Sequence, residues 1–161
     1  MGLFDKLFGK KYNIIYAPVE GKAVPITEVP DPTFSSGMLG NGIAIIPDNG
    51  KICAPCDATV DMMFETGHAV SLVSDFGAEI LIHIGLETVG LQGKGFAICA
   101  KNGQKVKKGD LLIDVDLDVV KAAGLNPITP VLICNAESFS HFKPHTDWDV
   151  TTDSPVLELG K

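Results

Sequence analysis

The chain has 161 residues, 45% of them apolar, and a formal charge of −7 with a pI near 4.9, which is the length of one domain with a sizeable core. All 13 cations are Lys. An acidic chain without Arg lacks the basic face and guanidinium forks that nucleic-acid binding and permanent phosphate clamping use, and no apolar run approaches the roughly 18 residues of a membrane-spanning helix.

The chain opens on an amphipathic segment, residues 1–11. Leu3, Phe4, Leu7 and Phe8 share one helical face, and Lys6, Lys10 and Lys11 supply cations. Its side chains sum to +2 (three Lys, one Asp), so the remaining residues carry −9 and the two sum to −7. A flexible basic, greasy tip on an acidic body predicts weak contact with a membrane surface. Lys6 breaks the myristoylation pattern. The segment has no apolar stretch or cleavage site of a secretory signal, so the expected location is cytoplasmic, peripheral at the inner face of the membrane where the tip engages it. The four Cys are then expected as thiols.

Residues 12–161 read as a single domain. Short apolar runs follow one another: Ile14–Tyr16, Gly42–Ile46, Thr59–Phe64, Ala69–Val73, Ile80–Ile84, Leu111–Val115, Val131–Cys134 and Val156–Leu159. Turn signals such as Asp48-Asn49-Gly50, Asp75-Phe76-Gly77 and Lys101-Asn102-Gly103 separate them. Many short strands at short spacing predict an all-β chain, an antiparallel sandwich or barrel. A short helix is expected over Leu117–Ala123, ended by Gly124 and Pro127. The stretch from Ile15, with Ala17-Pro18, matches that from Ile52, with Ala54-Pro55, at an offset of 37 residues, which points to a duplicated strand–turn–strand unit.

Chemistry concentrates on two of the four histidines. In Ile80-Leu81-Ile82-His83-Ile84, alternation places His83 and Leu81 on one face. His68 opens the preceding run. A two-residue loop at Asp75-Phe76 sets His68 directly opposite His83, whereas a three-residue loop with Gly77 as a bulge shifts the register by one and parts them. Two neighbouring imidazoles suit zinc, which takes three or four ligands, or a phosphohistidine site, in which one neutral ring nitrogen attacks phosphorus and the other ring hydrogen-bonds the phosphoryl oxygens. No third ligand stands at suitable spacing, which favours the second. Cys53-Ala-Pro-Cys56 is read as turn and core thiols, since no βαβ pattern surrounds it. His141 and His145 are read as a solvated loop, Gly40-Asn41-Gly42 as a turn, and Phe142 and Trp148 as packing residues.

Phe64-Glu65-Thr66-Gly67-His68 and Ile82-His83-Ile84-Gly85-Leu86-Glu87-Thr88-Val89, followed by Gly93-Lys94-Gly95-Phe96, resemble the glucose-specific (type 1) enzyme IIA family of the bacterial sugar phosphotransferase system. Met1–Leu7, Val29-Pro30-Asp31 with Phe34, Gly40-Asn41-Gly42 and Thr129-Pro130-Val131 resemble it too, so the likeness covers nearly the whole chain. The resemblance implies a sandwich of the duplicated hybrid type and a phosphotransferase component of sugar uptake driven by phosphoenolpyruvate. His83 would accept the phosphoryl group on Nε2, His68 would support it, and Thr66 would orient His68. The implied donor is phospho-HPr and the implied acceptor a cysteine of a sugar permease's IIB domain. The implied docking face is a ring of Phe34, Met38, Leu39, Phe64, Leu81 and Val89, with rim carboxylates Asp31 and Glu87. No intrinsic cofactor or metal is implied. Relatives imply regulatory binding of transporters or metabolic enzymes, in some cases with partner-dependent zinc at His68 and His83.

Glu87 stands where the enteric form has Asp, Gly67 replaces Asn, Gln92 replaces Lys and Lys94 replaces Glu, changes that touch the rim and bear on partner choice. Two alternatives stand beside this reading. One is a purely regulatory binding module. The other is a zinc endopeptidase of related fold, which needs an H-x-H pair that the chain lacks.

Overall fold

The computed structural model describes residues 12–161; the amphipathic segment expected over 1–11 lies outside the described residues. The strands are β1 (Asn13–Tyr16), β2 (Gly21–Pro25), β3 (Asn41–Pro47), β4 (Lys51–Cys53), β5 (Ala58–Met63), β6 (Ala69–Ser74), β7 (Glu79–His83), β8 (Phe96–Ile98), β9 (Lys105–Val106), β10 (Leu111–Val115), β11 (Thr129–Ile133), β12 (His141–Pro144), β13 (Trp148–Val150) and β14 (Pro155–Gly160). Two short helices, α1 (Pro32–Ser35) and α2 (Leu117–Ala122), interrupt them. Every strand pairing is antiparallel. The β-sandwich expected from the sequence is therefore the architecture found.

An eight-stranded sheet runs β13-β2-β3-β11-β7-β6-β5-β9, and two three-stranded sheets run β1-β14-β12 and β4-β10-β8. β11 explains how the site is supported. It sits between β3 and β7, and all five of its residues are buried. Its alternate side chains serve two cores. Val131 and Ile133 join a large cluster with Ile43, Ile45, Val70, Ile80 and Ile82, while Leu132 on the opposite face joins Val24, Val29, Phe34, Leu86 and Ile128. A strand covered on both faces reads as a continuous apolar run, not an alternating one.

The duplicated Ala-Pro units are joined reciprocally. The Tyr16 N–H donates to the Pro55 carbonyl at 2.9 Å, and the Cys53 N–H donates to the Pro18 carbonyl at 2.7 Å. The 37-residue offset carries each bond into the other, so the repeat is a pseudo-twofold pair of backbone segments.

The expected helix over Leu117–Ala123 is present as α2, capped by the Asp116 side chain accepting from the Asp118 N–H at 3.0 Å. The loop expected at His141–His145 is corrected: His141–Pro144 is β12, paired with β14. Both imidazoles are half-buried and meet the Glu158 carboxylate, at 3.3 Å from His141 Nε2 and 2.8 Å from His145 Nε2. Gly40 lies in the expected turn, but Asn41 and Gly42 already belong to β3. A Cβ on Gly42 would stand 1.9 Å from the Val131 carbonyl oxygen, so only glycine admits β11 at that distance. No helix among the described residues is long and apolar enough to cross a membrane.

Candidate active site

β7 delivers His83 at its C-terminal end. Ile80 and Ile82 point into the large core, which leaves Leu81 and His83 on the outer face beside the smaller cluster. Burying Ile82 fully contributes about 1.5–3 kcal/mol, so the strand carrying His83 is held firmly. Beyond it the chain turns at Gly85, whose φ is 76°. The turn folds the Gly85 carbonyl back onto His83, where it accepts the Nδ1–H at 2.7 Å. A carbonyl can only accept, so Nδ1 carries the proton and Nε2 of the neutral ring keeps its lone pair.

His68 approaches from the neighbouring strand, and here the sequence expectation is corrected. The β6–β7 hairpin closes on Ser74 and Ala78, the Ser74 N–H donating to the Ala78 carbonyl, which leaves the three residues 75–77 as its loop with Gly77 at φ 91°. The register therefore pairs Ala69, not His68, with His83. This is the shifted register, yet the two imidazoles are not parted: their ring centroids are 5.3 Å apart at 79°. β6 begins only at Ala69. His68 lies in the turn before it, after Gly67 at φ 71°, so strand alternation does not govern its side chain. One further ladder bond, from the Ile84 N–H to the His68 carbonyl at 2.7 Å, ties the two histidine backbones together. Thr66 Oγ1 touches His68 Nδ1, which directs His68 Nε2 away from Thr66.

Both rings are held below the ordinary histidine pKa. For His68 the cause is burial, reinforced by the His83 ring. For His83 burial dominates, opposed by the bond to Gly85 and the negative charge of Asp31. Two neutral imidazoles result, one with a bare ring nitrogen: a nucleophile beside a hydrogen-bonding partner.

Around the pair, Phe34 and Phe64 flank the rings, 4.8 Å from His83 and 5.4 Å from His68 between centroids. Phe34 is only 4% exposed. Expected on a docking ring, it instead backs His83 from within the smaller core. Asp31 is half-buried and caps α1 by accepting from the Thr33 N–H at 3.0 Å, and Pro32 at the first position sets the helix start. Leu81 and Phe64 are half-buried. Met38 and Val89 are 75% and 54% exposed, and Leu39 and Glu87 are exposed as well. Glu87 has φ 62°, a left-handed conformation unusual for a non-glycine residue.

Sequence reasoning missed three neighbours. Gly85, whose carbonyl fixes the His83 tautomer, and Thr88, fully buried behind it, stood in the quoted motif without a role. Ile98 lies against Gly67, where a Cβ would meet its Cγ1 at 3.1 Å, yet remains 44% exposed. Nothing in the short Phe96-Ala97-Ile98 run signals this, because the contact depends on how β8 crosses the Gly67 turn.

Cys53 is half-buried and Cys56 buried, both free, and burial pushes the Cys56 thiol up to about 12. Such a thiol is inert, as the packing reading expects. Among the described residues no group of three His, Cys, Asp or Glu side chains could hold a metal ion.

Residues 13–139 match the family described as phosphoenolpyruvate-dependent sugar phosphotransferase system, EIIA 1. The chain is 42% identical to the PTS system glucose-specific EIIA component of Haemophilus influenzae, over the whole of both chains. It also resembles the solved structure of glucose permease IIA from Mycoplasma capricolum, with a TM-score of 0.80 and 32% identity, covering 94% of this chain and 97% of that one.

Proposed function

The chain belongs to the EIIA 1 family of the phosphoenolpyruvate-dependent sugar phosphotransferase system and is a phosphoryl carrier in sugar uptake, and we propose that His83 is the residue that carries the phosphoryl group. The observation that supports this most is the Nδ1–H bond from His83 to the Gly85 carbonyl, which leaves Nε2 bare beside His68. The donor is phospho-HPr. Its phosphorus is attacked by the Nε2 lone pair of His83 while the bond from phosphorus to the donor breaks, and the proton stays on Nδ1, donated to the Gly85 carbonyl. His68 Nε2–H, with Thr66 hydroxyl donating to Nδ1, then hydrogen-bonds the phosphoryl oxygens. In the second transfer the thiolate of a IIB-domain cysteine attacks phosphorus and Nε2 leaves with its electron pair. In-line transfer of this kind is chiefly positioning and charge stabilisation.

A carrier must release what it holds. The lack of Arg in this chain fits that need, since a bidentate fork would bind phosphate too firmly. Met38, Leu39 and Val89 present apolar surface for transient docking, with Asp31 and Glu87 as rim charges for a basic partner. The served sugar is glucose, by analogy with the named relatives, and the place of action is the cytoplasm. Zinc is proposed only as completed by a partner: His68 and His83 supply two nitrogen donors, and a zinc ion needs at least one more ligand besides water.

The deciding experiment incubates the chain with phosphoenolpyruvate, enzyme I and HPr and measures intact mass. One acid-labile phosphoryl group is expected on the unmodified chain and none on His83→Ala. Labelling of His83→Ala would overturn the assignment, and an unlabelled native chain would favour a purely regulatory module.

A further inference from the structure

The loop after His83 contains a device that the carrier reading leaves unused. Thr88 is wholly buried, 0% exposed, and its hydroxyl donates to the Ile84 carbonyl at 2.6 Å. The N–H of Ile84 is itself bound to the His68 carbonyl at 2.7 Å. Next along the chain, the Gly85–Leu86 peptide points its N–H at the Asn126 carbonyl, 2.9 Å away, and its C=O at His83 Nδ1, 2.7 Å away. The methyl of Thr88 occupies the space beside Gly85: a Cβ there would lie 2.6 Å from Thr88 Cγ2. Two consecutive peptide planes are thus fixed, the first by Thr88 and the second by Asn126.

From this geometry we propose that Thr88 is a positioning residue for phosphoryl transfer, holding the Ile84–Gly85 peptide so that the Gly85 carbonyl stays on His83 Nδ1 and Nε2 remains the bare nitrogen. The proposal rests on His83 being the phosphoryl acceptor. The Thr88 hydroxyl bonds the Ile84 carbonyl and neither imidazole, so it acts through the backbone. Without its hydroxyl the Ile84 carbonyl loses its buried donor, and the 84–85 peptide gains freedom to rotate. Rotation of that plane would change φ at Gly85 and pull the Gly85–Leu86 plane against its Asn126 bond, shifting the Gly85 carbonyl from Nδ1 and letting the proton move to Nε2, the nitrogen that must attack. Glu87 at φ 62° lies between Gly85 and Thr88, so the same anchor fixes where this rim carboxylate stands.

The test compares Thr88→Val, which keeps shape and removes the hydroxyl, with Thr88→Ser, which keeps the hydroxyl and removes the methyl. Nitrogen-15 NMR of the His83 ring reads the tautomer, and steady-state phosphorylation by phospho-HPr reads kcat and KM. In the unmodified chain and Thr88→Ser, Nδ1 is expected as the protonated nitrogen and the kinetics unchanged. In Thr88→Val, a mixture of tautomers is expected, with kcat lower by about 10- to 10²-fold and KM for phospho-HPr unchanged. If Thr88→Val fails to fold, Thr88→Ala is read in its place. An unaltered tautomer and kcat in the variant lacking the hydroxyl overturns the proposal, and so does Thr88→Ser losing as much as Thr88→Val. Should the unmodified chain accept no phosphoryl group, the assignment of His83 fails, while the NMR comparison still decides whether Thr88 holds the ring.

Discussion

His68 and His83 stand with ring centroids 5.3 Å apart at an interplanar angle of 79°, although the strand register pairs His83 with Ala69. Their juxtaposition thus comes from the turn before β6 and not from cross-strand pairing. That has a chemical consequence. His83 sits at the end of a strand whose other side is packed in the core, whereas His68 is carried by a turn and steadied by Thr66. The rigid member has the bare nitrogen, and the turn member has a ring whose remaining nitrogen can follow the phosphoryl oxygens.

Replacing His68 with Gln separates the two transfers. Gln retains an N–H that can reach phosphoryl oxygens, so acceptance from phospho-HPr is expected to persist. It cannot take up or give a proton as an imidazole does, so onward transfer to the IIB domain is expected to fall by about 10²–10³-fold, within the range for losing one acid–base group. Rapid-quench measurement of both half-reactions checks this. Onward transfer at the unmodified rate would remove His68 from the mechanism.

Burial depresses the pKa of both imidazoles, and the sign of the pH effect follows. Only neutral His83 can attack phosphorus, so acceptance is expected to stay flat as pH falls through 6.5, the ordinary histidine value, and to decline only below it. Stability moves in the same direction. The unfolded chain takes up protons near 6.5 while the folded chain resists, so the contribution from these two rings is full above 6.5 and is lost as pH falls from there through the lower folded values. NMR titration of the two rings, beside denaturation midpoints at several pH values, measures both effects. A His83 midpoint above 6.5 contradicts the reading.

Much of this was legible in the residues, and the failures have physical causes. Strands with a strong apolar run, such as Ile80–Ile84 and Leu111–Val115, were found within a residue or so of β7 and β10. β2, β4, β8, β9, β12 and β13 were not among those runs, since strands of two to five residues without a strong apolar run owe their existence to a partner and not to their own pattern. The register between β6 and β7 hung on whether Gly77 would take a left-handed φ, a choice that Asp75-Phe76-Gly77 leaves open. Phe34 was placed on the docking face by resemblance alone, and nothing in its short Pro32–Ser35 stretch signals burial. Its burial needs Leu132 from β11, nearly one hundred residues on, to supply the other wall of the smaller core. The histidine motif itself was legible, but the role of Gly85 was not, because it lies in a backbone carbonyl that no side-chain pattern reveals.

Gly85→Ala tests that carbonyl directly. At φ 76° an alanine pays the left-handed penalty, about 1–2 kcal/mol. Its Cβ would also lie 2.6 Å from Thr88 Cγ2, closer than real Cβ contacts come, and 3.0 Å from the Asn126 carbonyl oxygen, tighter than most. The chain must shift, and the Gly85 carbonyl shifts with it, away from His83 Nδ1. Lower stability and slower acceptance from phospho-HPr are both expected. The two causes separate in the double variant with Thr88→Ser, which removes the clashing methyl while keeping the hydroxyl on the Ile84 carbonyl. Residues in contact couple non-additively, so the double variant is expected to regain acceptance while retaining the backbone penalty in its denaturation midpoint. If the two substitutions add in both measurements, the methyl is not what displaces the carbonyl, and the packing of Thr88 against Gly85 has no part in orienting His83.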